Sequence, residues 1–121
     1  MINQEENPVE ATLELIGGKY KALILWHLSK GKLRFSQLRS LMEHTTPKML
    51  TQQLRELEAQ DLIHREVFAV VPPKVEYSLT KLGESTLPIL NAMYEWGSSY
   101  LRSLPRDCRP ACKNPLPSTN G

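Results

Sequence analysis

The stretch FSQLRSLMEHTTPKMLTQQLRELEAQ, residues 35–60, constrains the chain more than any other. Its apolar spacing predicts two helices joined by a short turn. The first is expected from about Gln37 to Met42, with Ser36 as its N-cap and Leu38, Leu41 and Met42 facing inward. Residues 43–46 form the turn, and Thr46-Pro47 opens the second helix. A threonine hydroxyl can accept from an unpaired N–H there, and a proline at the first helical position loses no hydrogen bond. At 100° per residue, Leu50, Leu54 and Leu57 share one stripe, while Lys48, Thr51, Gln52 and Arg55 lie on the opposite face. Those four can reach phosphates or base edges. Taken alone, such a face is better explained by an amphipathic helix with a wet side; its surroundings decide otherwise.

Charge is the first of those surroundings. Residues 1–18 hold four acids and no base; from Lys19 to Arg55 there are eight bases against the single acid Glu43; residues 56–101 hold seven acids and three bases. The net charge of +2 hides this segregation. A basic block coincident with the helix pair is the electrostatic footprint of a site for a polyanion.

The residues after Gln60 supply the second. Leu62 to Val71 is rich in β-branched residues, Pro72-Pro73 interrupts, and Val75 to Leu79 alternates with Glu76 and Ser78. This pattern predicts a β-hairpin directly behind the helix pair, a wing, with Arg65 on its outgoing strand and Lys74 at its tip. The tandem prolines stiffen the tip. The hairpin also closes the core.

Around this centre, Asn7-Pro8 starts a helix with Val9, Leu13 and Ile16 on one face, ended by Gly17-Gly18. Residues 19–28, KYKALILWHL, are apolar over most of the circumference and predict a central buried helix with Gly31 as its C-cap. Trp26 reads as core and His27 as a surface or satisfied core histidine. Leu33-Arg34-Phe35 has room only for a brief strand. Thr80 caps a last helix, expected from Lys81 to Leu104 and bent at Pro88. Its apolar positions, Leu90, Met93, Tyr94, Trp96, Tyr100 and Leu101 among them, cover more than one stripe, so a second copy of the chain is the expected partner, with Val9 and Leu13 adding to the interface.

Several classes are disfavoured. At 121 residues and 40% hydrophobic content the chain suits a single domain, residues 1–104, followed by a proline-rich, largely disordered tail, 105–121. No apolar run is long enough to span a membrane, and the acidic start lacks secretory character, so a cytoplasmic protein is expected. No Gly-rich phosphate loop, catalytic constellation or metal-ligand spacing is present, so neither enzyme activity, metal nor cofactor is expected. Cys108 and Cys112 lie in the tail among Arg106, Arg109 and Lys113, cations that raise the thiolate fraction. They read as incidental tail residues or as a redox-sensitive pair.

The segments IGGK, LRFSQL, KMLTQQLRELE and VPPKVEYSLT, then LG, stand at a spacing that resembles the HxlR-type winged helix-turn-helix transcriptional regulators, over roughly Asn7 to Tyr100. The resemblance implies a mainly α fold with a small β-hairpin wing, dimeric through terminal helices. It implies a homodimer on a double-stranded DNA operator with an inverted repeat, the second helix of the pair in the major groove and the wing near the minor groove. The expected DNA-contacting residues are Ser36, Gln37, Arg39, Thr46, Lys48, Thr51, Gln52, Arg55, Arg65 and Lys74. Two positions depart from the family pattern. Asn7 stands where many members carry a cysteine, and Tyr20 replaces the usual tryptophan of GGKW. The rival reading is the same fold used as a protein-interaction or dimerisation module.

Overall fold

Leu38, Met42, Leu50, Leu54 and Leu57 are all at most 2% exposed, and their burial fixes the helix pair where the spacing expects it. The computed structural model describes residues 7–105. In order these form α1 (Pro8–Ile16), α2 (Lys21–Leu28), β1 (Leu33–Arg34), α3 (Phe35–Leu41), α4 (Pro47–Ala59), β2 (Ile63–Phe68), β3 (Lys74–Leu79), α5 (Lys81–Glu84) and α6 (Leu87–Ser103). They fall into two compact units parted between Leu87 and Pro88. The tail cysteines Cys108 and Cys112 lie outside the described residues.

In the first unit, the Asn7 side chain accepts from the Val9 N–H at 2.7 Å and caps α1. Of the α1 face formed by Val9, Leu13 and Ile16, only Ile16 is buried; Val9 and Leu13 are 65% and 60% exposed. The α2 helix packs against α1, α3, α4 and β3 and buries Ile24, Leu25 and Leu28, the central role its all-round apolar sequence predicts. Its C-cap is Ser29 rather than Gly31, which lies two residues further on at φ +140°, where a side chain would be strained. Burial, and then the charge of Lys30, push His27 below the ordinary histidine pKa, which favours the neutral ring.

Two expectations for α3 are corrected. Its N-cap is Arg34, whose N–H donates to the Gln37 side-chain oxygen at 2.8 Å; Ser36 is inside the first turn instead. A long amide three residues into a helix can reach back over the cap, and here it does so in place of the serine. Leu41 is 39% exposed and does not join the core, because the helix ends there and Met42 takes the inward position.

The sheet has three antiparallel strands in the order β1-β3-β2. The hairpin pairs Ile63 with Leu79 through to Phe68 with Lys74. The two residues of β1 join its inner edge, Leu33 opposite Tyr77 and Arg34 opposite Glu76, and so tie the entrance of α3 to the wing. Lys74 is the first residue of β3, closing the ladder; the tip beyond it is residues 69–73, where Val71 is fully exposed.

The turn from α4 into β2 uses Asp61 at φ +62°. The Leu62 N–H donates to the Leu57 carbonyl and the Asp61 N–H to that of Glu58, a Schellman ending with Leu57 and Leu62 both buried. Thr80 locks the same corner from the other side. Its hydroxyl donates to the Asp61 carbonyl at 2.6 Å and accepts from the Gly83 N–H at 3.0 Å.

The single bent helix expected from Lys81 to Leu104 is two helices. Ser85 and Thr86 interrupt it, and the Thr86 hydroxyl donates to the Gly83 carbonyl at 2.6 Å. Proline cannot continue a preceding helix, but it fits the first turn of a new one, which is where Pro88 sits in α6. The second unit, by itself, is this helix, with Trp96 and Tyr100 stacked at 5.4 Å between ring centroids.

Gly83 is required by a close approach. A Cβ there would come within 2.1 Å of the Leu62 carbonyl oxygen, which is backbone and cannot swing aside. Gly83→Ala is expected to cost about 1–3 kcal/mol, read as a lowered urea midpoint at unchanged m-value. Wild-type stability in that variant would show the corner to be looser than described.

Candidate nucleic-acid interface

The second helix of the pair starts as its sequence dictates. The Thr46 hydroxyl accepts from the Met49 N–H at 3.0 Å, and Pro47 follows as the first helical residue. With Leu50, Leu54 and Leu57 turned inward, the opposite face of α4 is presented outward: Lys48, Gln52 and Arg55 are exposed and Thr51 half-buried. Together with Phe35 and Pro47, these four side chains line one open groove of about 580 Å³. The four residues singled out by helical geometry are thus brought together at one surface. Phe35 was not among them; a lone aromatic at the mouth of α3 carries no period to mark it, and its half-buried ring supplies an apolar wall.

Electrostatics on α4 are arranged around one acid. Glu56 pairs with Lys21 Nζ at 2.9 Å, and the Gln52 Nε2 donates to its other carboxylate oxygen at 3.4 Å. The hydrogen bond and charge of Lys21, then the Gln52 bond, hold the Glu56 carboxyl below its usual pKa. The acid thereby remains charged and, next to Lys21, locally neutralised. Toward the start of α3, Ser36 and Gln37 are exposed, as is Arg39 in its last turn. The Gln37 oxygen is engaged in the cap, while both of its amide N–H donors remain to be offered.

On the wing, Arg65 is exposed on β2, opposite Tyr77. Lys74 is more constrained than its expected position at the tip would make it. Its ammonium lies 4.7 Å from the Phe68 ring centroid and 3.6 Å from Glu76. The tip itself presents Val70 and Val71, 52% and 100% exposed.

Of the residues expected to meet a second copy, Val9, Leu13, Met93, Tyr94, Trp96, Tyr100 and Leu101 are exposed large apolar side chains, led by Trp96 at 70%. Leu90 is corrected: it is 3% exposed within its own chain and has no surface to give to a partner. Among the described residues, no helix is long and apolar enough to cross a membrane, and no group of three or more His, Cys, Asp or Glu could hold a metal ion.

Known proteins share this arrangement. The HxlR-like helix-turn-helix family matches residues 15–105. The HTH-type transcriptional regulator YybR of Bacillus subtilis is 53% identical over 97 residues, covering 80% of this chain and 78% of YybR. Among solved structures, the HTH-type transcriptional regulator ytcD superposes with a TM-score of 0.76 at 54% identity, over 80% of this chain and 99% of that one. The redox regulator HypR in its reduced form gives 0.77 at 52% identity, over 80% and 95%. These neighbours are winged-helix proteins, and they and the sequence relatives are regulators rather than enzymes. The chain belongs to the HxlR-like helix-turn-helix family of DNA-binding transcriptional regulators.

Proposed function

We propose that the protein acts in the cytoplasm as a homodimer on an inverted-repeat operator, with α4 in the major groove and the β2–β3 hairpin as a wing beside the minor groove. In this reading residues 1–104 carry both DNA binding and dimerisation. The observation that carries it is the open groove along α4, lined by Lys48, Thr51, Gln52 and Arg55 and backed by a buried leucine stripe. Lys48, Thr51 and Gln52 approach base edges. Arg55, Arg39, Ser36, Gln37, Thr46 and Arg65 meet phosphates or sugars and set register. Lys74 contributes less, since Glu76 and the Phe68 ring already hold its ammonium. The rival role, a winged helix that only binds protein, predicts no affinity for random duplex at low salt.

Gln52 is the side chain best suited to adenine, by a bidentate pair that discriminates by about 1–3 kcal/mol. Duplexes selected from a randomised pool with wild type should therefore lose preference at one base pair per half-site in Gln52→Ala, while affinity for unrelated DNA holds. Unchanged preference would remove α4 from the reading role.

Salt dependence separates the cations. Each phosphate contact contributes about 0.9 to the slope of log K against log salt. Arg55→Ala should lower the slope by about that amount per subunit, and Lys74→Ala by clearly less. Equal losses would mean that Lys74 leaves Glu76 for the DNA.

Dimerisation is supported by the uncovered Met93, Trp96, Tyr100 and Leu101 on α6 and by Val9 and Leu13 on α1. Two-fold symmetry would set the recognition helices about one helical turn apart. Met93→Glu with Trp96→Glu should convert the protein to monomers in sedimentation. A folded wild-type monomer at micromolar concentration would end the dimer reading.

A further inference from the structure

Glu56 is an unexpected residue on a helix that faces a polyanion. It lies one turn beyond Gln52 on α4, and its two carboxylate oxygens have different partners. Oε1 receives Lys21 Nζ at 2.9 Å from α2, and Oε2 accepts from Gln52 Nε2 at 3.4 Å. Lys21 is a rigid partner, since its side chain is only 13% exposed at the first position of α2, which itself packs against α4. The carboxylate is therefore tethered to the core on one side and reaches the base-reading amide on the other.

The chemistry of that amide makes the contact consequential. A glutamine offers two N–H donors and one carbonyl acceptor, and its two flip states present them in opposite order. A carboxylate can only accept, so it stabilises the flip in which Nε2 faces it and repels the one in which Oε1 does. With one N–H given to Glu56, the amide retains one donor and one acceptor. Adenine shows N7 as acceptor and the N6 amino group as donor in the major groove, the complement of that pair. We propose that Glu56 is a positioning residue for base reading: held by Lys21 through one oxygen, it accepts from Gln52 through the other and sets which edge of the amide faces the DNA. Lys21 also removes the electrostatic cost of placing an acid beside phosphates. This rests on the reading of α4 as the major-groove helix.

The test uses full-length protein and duplexes selected by the wild type from a randomised pool. Discrimination is the ratio of Kd values for the selected duplex and one with a single base pair exchanged, measured at every position. The position at which Gln52→Ala loses preference marks the Gln52 contact. Glu56→Ala is expected to lose about tenfold in discrimination at that position, keep it elsewhere, and bind unrelated DNA as well as wild type or better. Glu58→Ala removes the same charge from the same helix and should leave discrimination intact. Lys21→Met should give a smaller loss at the Gln52 position only, with Glu56 still present but untethered. Full discrimination in Glu56→Ala overturns the proposal. So does an equal loss at every position together with a lowered thermal midpoint, which would mark Glu56 as a helix brace. A Gln52→Ala variant with wild-type preference overturns the major-groove reading itself, a separate outcome from either.

Discussion

Three leucines determine which way the α4 helix faces. Leu50, Leu54 and Leu57 are at most 2% exposed, and burying each is worth about 1.5–3 kcal/mol. Their sum is comparable to the whole stability of a small domain, about 5–15 kcal/mol, even after allowing for a compact unfolded chain. Turning α4 by a single residue's 100° would expose that stripe and bury Lys48 or Arg55. No hydrogen bond on the polar face approaches this magnitude. The direction of Lys48, Thr51, Gln52 and Arg55 is therefore a consequence of core packing, and the outward face of α4 is set by buried residues on its other side.

The wing inherits its position from the same helix. Leu57 is both the last member of the stripe and the residue whose carbonyl receives the Leu62 N–H, so the turn into β2 begins from a fixed point. Asp61 accepts the left-handed backbone that this ending needs, as short polar side chains do more readily than branched ones. Thr80 and Gly83 then bring the far end of β3 back onto that turn, with contacts too close for any side chain at Gly83. Helix and hairpin thus share one rigid corner. A wing attached in this way has a defined orientation relative to α4, which a flexible loop would not give it.

Features with a local physical cause were legible in the sequence, and those that depend on a distant partner were not. Thr46-Pro47, Asn7-Pro8, the leucine stripe and the alternation in 75–79 each express a capping or burial rule within a few residues, and each stands where expected. The brief strand expected at Leu33-Arg34-Phe35 is present as Leu33-Arg34, but two residues cannot display a period, so its pairing with Tyr77 and Glu76 was not legible. Ser36 looked like a cap because serine usually is one, but the Gln37 amide competes for the same role. The break at Ser85–Thr86 was missed because the apolar pattern continues across it, while hydroxyl-to-carbonyl bonds at the end of α5 are not visible in a pattern. At the candidate interface, the polar face was legible and the Lys21–Glu56–Gln52 chain was not, since it joins residues 35 positions apart.

That chain also changes what the basic block means. Counted along the sequence, Lys19 to Arg55 supplies eight cations, yet they are not equivalent toward DNA. Lys21 is spent against Glu56, Lys30 lies 4.9 Å over the Trp26 ring, and Lys19 lies 5.6 Å over Tyr20. A lysine above a ring keeps its charge and still adds to the long-range field that steers a polyanion inward. A lysine paired with a carboxylate adds little to that field and releases no counterion unless the pair breaks. Arg39, Lys48 and Arg55 differ from both groups: they are exposed on the two helices of the helix pair itself. The long-range attraction for a polyanion is thus distributed over the whole basic segment, whereas its exposed cations on α3 and α4 are these three. Within the proposed reading of α4, the same segregation would let an acid stand on a helix that faces DNA: Lys21 offsets the charge of Glu56 while its second oxygen accepts from Gln52.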